Sequence, residues 1–161
     1  MKTLTLAVLV LCACGPDVST PFSYVSRCGV RVASVVELNQ ANIDAHFDET
    51  ILWYDAQFEQ GSWCKDVAGF QFIVVKGDFA CSAHPDVGCA GWTQPGYIWI
   101  NGERASTLHE SFHARDLGDG SWRFYGTGKD GSHPYWDEKG YLQMGLEFRN
   151  NSRTKFIQPA S

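Results

Sequence analysis

His109, Glu110 and His113 stand within the stretch TLHESFHARD, and their types and spacing suit metal chemistry. A helix turns once every 3.6 residues, so His109 and His113 project from one face, one turn apart, and both imidazoles can reach one ion. Neutral imidazole suits zinc, which needs no redox partner. Glu110 is rotated by about 100° from His109, which sets a carboxylate beside the histidine face. Zinc with one open position lowers the pKa of its water towards about 7, and a carboxylate so placed takes the proton as the water attacks a polarised carbonyl.

This H-E-x-x-H resembles the active helix of the zincin metallopeptidases. The resemblance implies a zinc-dependent peptide-bond hydrolase with one Zn2+, Glu110 as catalytic base, and a peptide or protein as substrate. A third ligand is then needed, and the chain offers three sources. The run Lys129-Asp130-Gly131-Ser132-His133-Pro134-Tyr135-Trp136 is similar to the end of SprT-like and related minimal zincins. There a loop after the motif delivers a third histidine followed by an aromatic residue, which points to His133 with Trp136 in the aromatic place. That likeness spans about residues 98–136. Alignment on the metzincin pattern H-E-x-x-H-x-x-G-x-x-H/D instead selects Asp119, although Asp116 stands where that pattern turns on a glycine. Glu138 and Glu147 are the gluzincin-type choice. His133 ranks first, Asp119 second and the glutamates third.

Supporting roles follow from the same frame. Asp116, Asp119 and Asp130 are candidates to accept the second N–H of a ligand histidine. Tyr135 or Tyr141 is the candidate donor to the oxyanion formed on attack. By family resemblance Tyr97–Ile100 is the strand beside the cleft that pairs with an extended substrate, with Trp99 read as core. The alternative function is a non-catalytic zincin-like envelope lipoprotein that binds zinc or a protein partner. An intact Glu110 favours the hydrolase, because a purely structural site needs no carboxylate there.

These residues need elements to hold them. Ile43, Phe47, Ile51, Tyr54 and Phe58 fall at spacings of 4, 4, 3 and 4, one apolar stripe on a helix from about Glu37 to Glu59. His46 beside that stripe reads as an exposed helix residue. Val30-Arg31-Val32 alternates like a first strand. The run 70–76 (FQFIVVK) is rich in β-branched and aromatic residues and reads as a buried strand, and Tyr97–Ile100 as a third, ending at Asn101-Gly102. The motif helix is expected from Arg104 to Arg115, stopped by Gly118 and Gly120, and a C-terminal helix from Trp136 to Phe148. The stretch between Gly77 and Gly96 holds many turn residues. The fold class is α+β: N-terminal helix, small mixed sheet, active helix and C-terminal helix around one core.

Met1-Lys2 followed by the apolar run Leu4–Leu11 has the form of a secretory leader, too short for a bilayer-spanning helix of about 20 residues. Leu11-Cys12-Ala13-Cys14 resembles a bacterial lipobox, which makes Cys14 the lipidation site. Residues 1–13 are then a signal peptide, 14–27 a tether, and 28–161 the domain. That places the protein in the cell envelope, anchored in the membrane by lipid, with the outer membrane favoured. Cys81 and Cys89 flank a short loop and are expected to pair, leaving Cys28 with Cys64. The net charge is −5 with no Lys/Arg cluster, which argues against a nucleic-acid partner.

Overall fold

The computed structural model describes residues 22–81, 84–119, 150 and 156–160. Its centre is a five-stranded sheet built from β1 (Phe22–Val25), β2 (Arg31–Ser34), β3 (Gln71–Val74), β6 (Gly91–Gln94) and β7 (Tyr97–Ile100). The strands lie in the order β1-β2-β3-β7-β6. The inner three, β2, β3 and β7, run parallel, while β1 and β6 pair antiparallel at the two edges. A separate hairpin, β4 (Phe79–Cys81) with β5 (His84–Cys89), lies between β3 and β6 in sequence. Three helices complete the described part: α1 (Gln40–Gln57), α2 (Ser62–Asp66) and α3 (Arg104–Asp119). The class is α+β, as the sequence predicts.

The parallel strands need cover on both faces, and their sequences are apolar at nearly every position accordingly. Val32, Phe72, Val74, Ile98 and Ile100 meet Ile43, Phe47, Tyr54, Trp63, Leu108 and Phe112 from the helices in one core. Ala33, Ile73 and Trp99, which alternate with them along the strands, are buried as well. The apolar stripe of α1 supplies Ile43, Phe47 and Tyr54 to this core, fully buried.

Several boundaries differ from the sequence expectations for identifiable reasons. Asn39 starts α1, its side chain accepting the Asn42 N–H at 3.0 Å, so Glu37 and Leu38 stay extended. Leu38 instead bridges Pro159. The segment expected as a tether to residue 27 folds: β1 occupies Phe22–Val25, and Ser26 and Tyr24 donate to the Asp44 carboxylate of α1 at 2.6 and 2.9 Å. Arg27 then grips Asp48 through two hydrogen bonds, of 2.6 and 2.9 Å. Between Gly77 and Gly96, where turns are expected, three short strands form. The C-terminal helix expected over Trp136–Phe148 lies outside the described residues.

His46 is not exposed. It is fully buried, and its Nε2 lies 2.7 Å from the Thr107 hydroxyl of α3. The Thr107 hydroxyl also reaches the Glu103 carbonyl at 3.3 Å. The polar ring is tolerated inside the core because the bond between His46 and Thr107 joins two helices.

A disulfide joins Cys28 to Cys64 across 36 residues, the pairing expected from the sequence, and fastens the turn after β1 to α2. Cys89 is also disulfide-bonded; the side chain of Cys81 lies outside the described residues. Residues 156–160 form a strap across the segments that lead into α1 and α3. Ile157 N–H donates to Gly102 O at 2.9 Å, Asn39 N–H to Gln158 O at 2.8 Å, and Ile157 itself enters the core.

Candidate metal centre

The site is built on α3, and the start of that helix is fixed by local chemistry. Gly102 takes φ +82°, the left-handed turn that a side chain resists. The Asn101 side-chain oxygen then accepts from Glu103 N–H and from the Ser106 hydroxyl, each at 2.9 Å. From there α3 runs unbroken for 16 residues. Its inner face is locked by a polar chain: Trp63 Nε1 of α2 donates to the Ser111 hydroxyl at 2.9 Å, which donates to Thr107 O at 2.7 Å. Further along, Arg115 pairs with Asp66 at 2.7 Å and stacks over Phe58 at 4.0 Å. These contacts fix the helix about its axis and so fix where its other face points.

On that other face the rings of His109 and His113 lie 5.0 Å apart, inclined at 71°. Their ring nitrogens and a Glu110 carboxylate oxygen all fall within 4.8 Å of one another, the one such group of three or more potential ligand residues among the described residues. The two histidines differ in exposure: 37% of the His109 side chain meets solvent, whereas His113 is buried. The site therefore opens past His109 and is backed by His113. Two nitrogens on one tetrahedral zinc sit about 3.4 Å apart, which small rotations of side chains already this close can reach. Two imidazoles on one face of a helix form a donor pair that fits zinc, with the carboxylate beside them.

Glu110 belongs to the neighbouring face, against β6. Only 3% of it is exposed. The Thr93 hydroxyl donates to Oε2 at 2.6 Å, while Oε1 lies 3.9 Å from His109 Nε2. Burial dominates its ionisation and pushes the carboxyl up to about 8, against the opposing pull of the Thr93 hydrogen bond. Gly91 lies beneath the carboxyl group, with no room for a side chain: a Cβ there would sit 2.6 Å from Glu110 Cγ.

The other sequence candidates divide clearly. Asp119 does not join the group. The helix runs straight through Asp116 instead of turning, and this leaves Asp119 exposed at its end, about 9 Å along the axis from His113. Asp116 is fully buried, three residues beyond His113 on the same stripe of α3. His133, Tyr135, Tyr141, Asp130, Glu138, Glu147 and Cys14 lie outside the described residues. The strand expected to border the cleft, Tyr97–Ile100, is an interior strand between β3 and β6. The edge beside α3 is β6, and it brings the two residues the sequence reading missed, Gly91 and Thr93. A signal for it existed. Pro95-Gly96 separates Gly91–Gln94 from Tyr97–Ile100 by two residues, with Gly96 at φ +84°, which is hairpin spacing with glycine where a type II turn requires it.

No protein-family model, curated protein or solved structure matches this chain.

Proposed function

We propose that the chain is a zinc-dependent peptide-bond hydrolase in which His109 and His113 hold the ion and Glu110 is the catalytic base. The observation that carries this reading is the cluster of His109, Glu110 and His113 on one helix, with the carboxylate fixed against β6 rather than loose in solvent. Bound zinc would supply Lewis acidity and bring the pKa of water towards about 7. Glu110 accepts the proton of the attacking water and returns it to the leaving amine. Beside a bound divalent cation Glu110 would be held in its carboxylate form at neutral pH against the effect of burial. His109, partly open, lies on the substrate side, and an extended peptide aligns along the edge of β6. In this reading the third ligand is His133. Export and lipid attachment at Cys14 place the domain at the outer membrane.

The mature protein is expected to carry one zinc per chain by atomic absorption. His109→Ala, His113→Ala and His133→Ala each lose it, whereas Asp119→Ala keeps it. Glu110→Gln keeps the zinc and cleaves a fluorogenic peptide library at least about 100-fold more slowly. Unchanged cleavage by that variant ends the hydrolase reading. Zinc bound by a wild type that cleaves nothing leaves the non-catalytic envelope lipoprotein in its place. Labelled palmitate incorporated by the wild type but not by Cys14→Ala tests the anchor.

A further inference from the structure

The two oxygens of Glu110 face different surroundings, and β6 makes the difference. Oε2 is held by the Thr93 hydroxyl at 2.6 Å, and Oε1 is left on the side of His109 Nε2, 3.9 Å away. The Thr93 hydroxyl has one proton and a second acceptor in reach, the Glu110 carbonyl at 3.2 Å. The shorter bond, to the carboxyl group, is the stronger claim on it. Thr93 is itself buried, and its place is set by strand register, since it lies opposite the fully buried Ile98 of β7. Gly91, two residues earlier and so on the same face of the strand, leaves the space that the carboxyl group fills.

We propose that Thr93 is a positioning residue for Glu110, fixing Oε2 so that Oε1 is the atom presented to the histidine pair, with Gly91 as the vacancy that admits the carboxylate. The inference rests on the hydrolase reading for its catalytic consequence, but the hold of Thr93 on Glu110 can be tested without turnover. A glutamate side chain has three rotatable bonds, and a base that must meet one water at one angle gains from having them fixed. Thr93 supplies the fixing bond without touching substrate. Outer partners of this kind typically change activity by about 10- to 100-fold.

The test uses the zinc-loaded mature protein, a pool of internally quenched peptides, and the variants Thr93→Val, Thr93→Ser and Gly91→Ala. Val keeps the shape of Thr and removes the donor, and Ser keeps the donor. Thr93→Val is expected to lower kcat by about 10- to 100-fold with KM and zinc stoichiometry unchanged. Thr93→Ser restores kcat to within about three-fold of wild type, and Gly91→Ala, which keeps Thr93 and fills the vacancy, lowers kcat as Thr93→Val does. A Thr93→Val enzyme with wild-type kcat overturns the proposal. So does a Thr93→Ser enzyme as slow as Thr93→Val, since packing rather than the hydroxyl would then matter. The second readout is the 13C resonance of the Glu110 carboxyl, assigned by its loss in Glu110→Gln. It is expected to move in Thr93→Val and stay in Thr93→Ser. If the wild type cleaves no peptide, the hydrolase reading fails alone and this resonance still decides whether Thr93 holds Glu110; no movement in Thr93→Val overturns the proposal.

Discussion

In the proposed hydrolase Glu110 meets two conflicting demands: a general base must ionise, and a buried carboxyl resists ionisation. Its carboxyl is raised to about 8 in the fold, chiefly by burial, against about 4.3 in an unfolded chain. Between those values the native state holds a proton that the unfolded state has released. Stability therefore falls as pH rises, by about 1.4 kcal/mol per pH unit, until the folded carboxyl itself ionises. Chelator-treated protein should lose about 2 kcal/mol between pH 6.5 and 8 in urea unfolding, a window in which histidines also titrate, so the share of Glu110 is read by comparison with a variant. Glu110→Gln should flatten that slope, and a slope equal to wild type in the variant would assign the effect elsewhere. At this scale the histidines and Glu110 were legible because helical periodicity alone sets them side by side. Thr93 was not, because its contact spans 17 residues and exists only once β6 has paired with β7. His46 was misjudged for a related reason: the hydrogen-bond partner that lets it lie buried is on another helix.

The elements that position the motif show how a helix is held in rotation. Leu108 and Phe112 give α3 its apolar contact, which is non-directional. The chain from Trp63 through Ser111 to the Thr107 carbonyl is directional, and it sits in a fully buried part of the core. Ser111→Ala removes the acceptor of a buried indole N–H and should cost about 1–3 kcal/mol in urea unfolding. A loss within about 0.3 kcal/mol of zero, the range of a surface substitution, would mean that the chain does not hold α3. Long periodic elements were legible from sequence: α1 from its stripe, β3 and β7 from apolar runs, α3 from its motif. The strands β1, β4, β5 and β6 escaped because each is short, and β5 and β6 are mixed with Gly, Pro or polar residues. Local composition there says turn, and only pairing partners elsewhere in the chain make it strand. Gly118 was likewise read as a stop for α3, yet the helix passes through it to Asp119, a tolerable cost for one glycine near a helix end.

Across the whole molecule, cross-links tie the beginning of the fold to α1 and α2. The Cys28–Cys64 disulfide closes a loop of 36 residues, which by chain entropy is worth about 4 kcal/mol. Arg27 and Tyr24 tie the same region to Asp48 and Asp44 on α1. A Cys28→Ser/Cys64→Ser variant should lose about 4 kcal/mol in denaturant unfolding while β1 stays in place through its hydrogen bonds. Loss of the fold altogether would show that those bonds cannot act without the cross-link. The Cys28–Cys64 pairing was legible by elimination, once Cys81 and Cys89 were set together across a short loop, whereas the entry of β1 into the sheet was not, since its four residues carry no alternation a reader can separate from a linker.

The strap at 156–160 governs the order in which the chain can fold. Ile157 and Phe22 belong to one core cluster, so that core cannot close until the chain through Ile157 is available. Contacts of this sequence separation form late and slowly. A nascent chain that has only reached α3 holds the motif residues but lacks the strap that pins Gly102, the turn from which α3 springs. The placing of His109, Glu110 and His113 therefore depends on a segment far beyond them in the chain, through its hydrogen bond to Gly102 and its share of the core.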